Sequence, residues 1–188
     1  MSITLVTGPA RSGKSEWAEA LAEKMAAEKG QQLVYVATAQ RDPEDAEWQA
    51  RIEKHAQRRS RAWKCLEVPV ALSEAIAQHN SSHCLLIDSL GTWLANLIEQ
   101  TDEQWQAKQA ELIDALGQTQ ATVVLVAEET GWGVVPAYKT GRTFRDRLGA
   151  LSRSAGEIAT DVYLVTCGYA VNLAQIGVPA SDRSLERK

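Results

Sequence analysis

The sequence predicts an α/β fold, a mostly parallel sheet with helices on both faces and a phosphate loop at one end. Two observations predict it. Short β-rich apolar runs alternate with helical stretches along the 188 residues, as they do where βα units stack on a parallel sheet. Between the first such run and the first helix lies Gly8-Pro9-Ala10-Arg11-Ser12-Gly13-Lys14-Ser15, which satisfies the spacing G-x-x-x-x-G-K-[ST].

Ile3-Thr4-Leu5-Val6 forms the first strand. A helix follows over residues 15–29, with Trp17, Leu21 and Met25 on one face at a spacing of four, and Gly30 ends it. Residues 33–37 (LVYVA) make a buried-type strand. Asp42 can cap and Pro43 can open a helix that runs to about residue 57. A short strand is expected near residues 66–68 and a helix over 71–78. Cys84-Leu85-Leu86-Ile87-Asp88 is a strand that ends in a carboxylate. Helices are expected over 92–99 and 103–116, a strand over 122–127, a helix over 143–159 and a last strand over 162–165. The polar tail, 181–188, is expected to fray. No linker, repeat or low-complexity segment appears, so residues 1–188 read as a single nucleotide-binding domain.

The apolar fraction is 45% and the net charge is −4. An acidic chain lacks the basic face that general nucleic-acid binding requires, although Arg58, Arg59 and Arg61 form a local basic cluster. The three cysteines, Cys65, Cys84 and Cys167, are far apart without metal-ligand spacing and are expected to be reduced thiols. No apolar run reaches membrane-spanning length, and the amino terminus enters a strand without a basic leader. A cytoplasmic location is expected, with neither membrane nor nucleic acid as partner.

In a phosphate loop, glycines let several N–H groups turn inward onto phosphate oxygens, and the helix that follows presents its positive end to the same anion. Gly8, Pro9, Ala10, Arg11, Ser12, Gly13, Lys14 and Ser15 are therefore candidate nucleotide contacts. Lys14 can reach the β- and γ-phosphates, and the Ser15 hydroxyl can ligate Mg²⁺. Asp88 is the candidate second half, a strand-end carboxylate holding Mg²⁺ through water. Asp88-Ser89-Leu90-Gly91 also matches the D-x-x-G of GTP-operated switches. None of Asn80, Asn96 and Asn172 begins the usual guanine-reading N-K-x-D, so the switch ranks below an enzyme.

Trp48, Arg51, Ile52 and His55 share one face of the expected 42–57 helix. A neutral imidazole beside guanidinium groups is a competent nucleophile toward an α-phosphate. Spacing alone favours the plainer reading, a solvated histidine at a charged helix end.

With these residues in view, the sequence resembles the bifunctional cobinamide kinase and cobinamide-phosphate guanylyltransferases of cobalamin biosynthesis. The likeness runs from residues 5–15 through Tyr35-Val36-Ala37-Thr38-Ala39, then Arg51, Ile52, His55, Arg59, Trp63 and Glu67. It continues in Leu86-Ile87-Asp88-Ser89-Leu90 with Trp93 and Asn96, in Glu129-x-Gly131-Trp132-Gly133-Val134-Val135-Pro136, and in Phe144-Arg145-Asp146. The resemblance implies a RecA-like fold, a homotrimer, and a corrinoid substrate phosphorylated on its aminopropanol hydroxyl by ATP or GTP. It implies GMP transfer from GTP through a guanylyl-histidine at His55, with Arg59 and Glu67 among the nucleotide contacts. The chain departs from the family pattern at Glu128, where Asn is usual, at Thr130, at Ser152 and at Lys54. A small-molecule kinase without a covalent intermediate, and a nucleotide-dependent switch, are the alternatives.

Overall fold

The structure is a computed structural model that describes residues 2–40 and 62–180. Strand β1 (Ser2–Gly8) leads through the phosphate loop into α1 (Lys14–Lys29), then β2 (Gln32–Ala37). After the undescribed segment come β3 (Trp63–Glu67), α2 (Leu72–Ala77), β4 (His83–Asp88) and α3 (Leu90–Asn96). The chain continues with α4 (Asp102–Gln118), β5 (Thr122–Glu128), α5 (Lys139–Ile158) and β6 (Asp161–Thr166). It closes with β7 (Tyr169–Asn172) and α6 (Leu173–Ile176).

The described strands form one sheet in the order β3-β2-β4-β5-β1-β6-β7. Every pairing is parallel except β6 with β7. Period-two alternation sends Leu85 and Ile87 to one face and Cys84 and Leu86 to the other. On the first face lie α2, α3, α4 and α5, which bury Leu72, Trp93, Leu112 and Leu151 against Ile3, Leu5, Val34 and Val123. On the second lies α1. The expected parallel sheet with helices on both faces is what the chain forms.

Local signals fix the element ends. Gly13 and Gly30, both at positive φ, flank α1. Thr101 and Gln104 make a capping box that starts α4. Ser89 caps α3 by accepting from the Thr92 N–H, so this helix begins two residues before the expected position and ends three earlier. On α1 the expected Trp17–Leu21–Met25 stripe is only half-buried, and Ala18, Ala22 and Ala26 face the sheet. Alanines let the helix axis come close to a strand surface already filled by Tyr35 and Trp63. The sequence reading also lacked β7 and α6. A two-residue turn, Cys167-Gly168 with both φ positive, folds β7 back on β6. No helix among the described residues is long and apolar enough to cross a membrane.

Candidate active site

The carboxyl ends of the parallel strands collect the functional groups on one edge of the sheet, where ligands of open α/β sheets bind. Gly8 ends β1, Glu67 ends β3, Asp88 ends β4 and Glu128 ends β5. Register sets Gly8 opposite Glu128, and Ala37 opposite both Glu67 and Asp88. Because β5 lies between β1 and β4, the phosphate loop and Asp88 start from strands about 10 Å apart, two strand spacings.

The loop is built for close approach. A Cβ on Gly8 would collide with the Val165 carbonyl oxygen, so only glycine lets β1 pass β6 there. Arg11 at φ 60° and Gly13 at φ 87° turn the chain into α1. No side chain caps that helix, which leaves its first N–H groups for an anion. The Ser12 hydroxyl is buried without a hydrogen-bond partner, a polar atom that a phosphate oxygen would satisfy. Lys14, 8% exposed, folds over the loop and donates from Nζ to the Pro9 carbonyl at 3.4 Å.

The Ser15 hydroxyl lies 3.4 Å from Asp88 Oδ1, so two sequence-predicted groups from positions 73 residues apart meet beneath the loop. Oδ2 of the same carboxylate accepts from the Tyr35 hydroxyl at 2.8 Å. A hydroxyl and a carboxylate side by side are hard oxygen donors, the set that suits Mg²⁺.

The residue after Asp88 is held from several sides. The Ser89 N–H donates to Thr38 Oγ1 at 2.9 Å, and that hydroxyl donates to the Ser89 carbonyl at 2.7 Å. Ser89 Oγ donates to Glu128 Oε1 at 2.5 Å, while Glu128 Oε2 accepts from the Gly91 N–H at 3.0 Å. Asn96 Nδ2 ties the Thr38 and Pro69 carbonyls. The Asp88-Ser89-Leu90-Gly91 string therefore leads straight into a capped helix, with Gly91 buried against Glu128.

Beyond Glu128, the Glu129 N–H donates to the Gly8 carbonyl at 2.9 Å. This bond fixes the start of a loop that exposes Trp132, Val134, Val135 and Tyr138. Glu67 sits exposed at the end of β3, on the far side of β2 from Asp88. His55 and Arg59, with Arg51, Arg58, Arg61 and the expected 42–57 helix, lie outside the described residues. Sequence reasoning singled out Tyr35, Thr38 and Glu128 only through the family resemblance and gave them no role in the site. No spacing rule selects them, since each acts across strands distant in sequence.

Known proteins resemble this chain along most of its length. A bifunctional adenosylcobalamin biosynthesis protein, CobP, of Pseudomonas aeruginosa is 38% identical over 166 residues, covering 87% of this chain and 92% of its own. The Escherichia coli bifunctional adenosylcobalamin biosynthesis protein CobU is 37% identical over 184 residues, covering 90% and 98%. A KaiC-like protein of Pyrococcus horikoshii superposes with a TM-score of 0.46 at 16% identity, over 87% of this chain and 70% of that one. The family model described as cobinamide kinase / cobinamide phosphate guanyltransferase matches residues 4–173, from the first strand past the last. With that span and these relatives, the chain belongs to the cobinamide kinase / cobinamide phosphate guanyltransferase family.

Proposed function

We propose that the Gly8–Ser15 loop, with Asp88, holds the nucleoside triphosphate for both reactions of this cobinamide kinase and cobinamide-phosphate guanylyltransferase of cobalamin biosynthesis. The observation that carries the reading is the 3.4 Å approach of Ser15 Oγ to Asp88 Oδ1 beneath the uncapped start of α1. Ser15 would ligate Mg²⁺, and Asp88 would hold it through water. When bound, the cation neutralises charge on the β- and γ-phosphates. The loop N–H groups and Lys14, freed from the Pro9 carbonyl, take the remaining phosphate oxygens.

In the kinase step the aminopropanol hydroxyl of cobinamide attacks the γ-phosphorus of ATP or GTP. A new O–P bond forms as the bond to the β-phosphate oxygen breaks, the nucleoside diphosphate leaves, and the hydroxyl proton is lost to solvent. In the second reaction a ring nitrogen of His55 attacks the α-phosphorus of GTP and pyrophosphate leaves. A phosphate oxygen of cobinamide phosphate then attacks the same phosphorus, which frees His55 and gives GDP-cobinamide. Arg59 and Glu67 contact the nucleotide. The support for His55, Arg59 and Glu67 is their match to the family motifs, and Glu67 stands on the functional edge of the sheet.

Intact-mass spectrometry after incubation with GTP and Mg²⁺ tests the covalent step. The expected result is one added GMP, absent in His55→Ala. An unlabelled wild type, or equal labelling of the variant, rejects the mechanism. We also infer a homotrimer in the cytoplasm. Leu173, Ile176 and Val178, exposed near the end of the described chain, are apolar surface that assembly would cover. Light scattering that returns a monomer mass would reject the trimer.

A further inference from the structure

Tyr35 lies in the middle of β2 and only 4% of it is exposed. Its ring is on the α1 face of the sheet, edge-on to Trp63 with centroids 6.1 Å apart. Register sets Tyr35 opposite Leu86. The length of a tyrosine carries its hydroxyl two residues further along the neighbouring strand, to Asp88 Oδ2 at 2.8 Å. A phenylalanine would fill the same apolar space, so packing alone does not call for the hydroxyl.

The hydroxyl does something specific for Asp88. The terminal torsion of an aspartate is broad, and a free carboxylate at a strand end samples many orientations. A hydrogen bond to an ionised oxygen is among the stronger ones and fixes the carboxylate plane. With Oδ2 occupied by Tyr35, Oδ1 is the oxygen turned toward Ser15. We propose that Tyr35 is a positioning residue for the divalent cation, setting the Asp88 carboxylate so that Oδ1 stands beside Ser15 Oγ, preformed to accept from a water of the cation that Ser15 would ligate. The inference rests on the reading that Ser15 and Asp88 hold Mg²⁺. It adds a group remote in sequence from both the phosphate loop and the strand-end carboxylate.

Preorganisation of this kind shows in metal affinity. The experiment is a titration of Mn²⁺, followed by electron paramagnetic resonance, into protein saturated with a non-hydrolysable ATP analogue. Wild type, Tyr35→Phe and Asp88→Asn are compared, and analogue binding in EDTA is measured for each. Tyr35→Phe is expected to weaken Mn²⁺ binding by about tenfold, the scale of one charge-assisted hydrogen bond, with analogue affinity in EDTA unchanged. Asp88→Asn is expected to weaken Mn²⁺ binding more. If Asp88→Asn loses Mn²⁺ and Tyr35→Phe does not, the positioning role is overturned and the metal-site reading stands. If Asp88→Asn binds Mn²⁺ like wild type, both fall. If Tyr35→Phe loses analogue affinity in EDTA to the same degree, the hydroxyl serves the loop and not the cation, and the proposal is overturned.

Discussion

Glu128 shows how one residue can shape a site without touching substrate. Its two oxygens accept from Ser89 Oγ and from the Gly91 N–H, and Ser89, 2% exposed, directly follows Asp88. Removing the carboxylate leaves the Gly91 N–H without its acceptor and Ser89 Oγ with only Thr92 Oγ1, 3.0 Å away, among buried groups. Glu128→Ala is expected to lower unfolding free energy by about 1–3 kcal/mol, read from urea denaturation. Glu128→Gln keeps an amide oxygen for one donor and should lose less. Equal stability of Glu128→Ala and wild type would contradict this account. A carboxylate at this position accepts at both oxygens, which an amide oxygen and nitrogen cannot do together. Residues of this sort were illegible in the sequence. Gly8–Ser15 and Asp88 could be found because their spacing or strand-end position is itself the signal. Glu128, Thr38 and Tyr35 gain meaning only once β5, β2 and β4 stand side by side.

At the scale of elements, α1 illustrates where pattern reasoning goes astray. Large apolar residues at a spacing of four drew attention to Trp17, Leu21 and Met25, yet Ala18, Ala22 and Ala26 carry the buried face. Trp17 instead leans on Tyr163, with ring centroids 4.5 Å apart. The consequence is testable by comparing two substitutions. Ala22 is fully buried and its carbonyl accepts from Cys84 Sγ, so Ala22→Leu should force the helix off the sheet at a cost of about 1–3 kcal/mol. Leu21→Ala, at a half-buried position, should cost less. Urea midpoints that rank the two the other way would restore the large-residue face. The strands were easier to read than their boundaries, since β4 and β5 are continuous apolar runs buried on both faces. The β6–β7 hairpin went unseen because its turn is announced only by Gly168, and β7 is four residues long.

Across the whole molecule, the three cysteines report on compactness. Cys65 and Cys167 are exposed and Cys84 is buried, all three as free thiols. A thiol reagent should therefore titrate two groups in the native protein and a third only after unfolding. Burial also pushes the Cys84 thiol from an ordinary value of 9.0 up to about 11, against a smaller opposing pull from Lys29. Below pH 9 the thiol is protonated in both states and contributes no pH dependence. Between pH 9 and 11 the unfolded chain gives up the proton while the folded chain keeps it. Stability then falls as pH rises, by at most about 1.4 kcal/mol per pH unit, and levels off above the folded value. Cys84→Ala should flatten this part of the alkaline profile. Identical slopes in wild type and variant would place the thiol in a wetter setting than described.

The position of β5 between β1 and β4 carries one further consequence, for the order in which a newly made chain becomes competent. The phosphate loop and Asp88 are both synthesised by residue 88, but the strand that spaces them is residues 122–128. Glu128, the acceptor that anchors Ser89, is the last residue of that strand. A nascent chain that stops short of residue 122 thus holds both halves of a nucleotide site without the strand that aligns them. Nucleotide capture is expected to wait for the central strand to slide in, so that ATP or GTP stabilises the nearly complete sheet and leaves earlier nascent forms untouched.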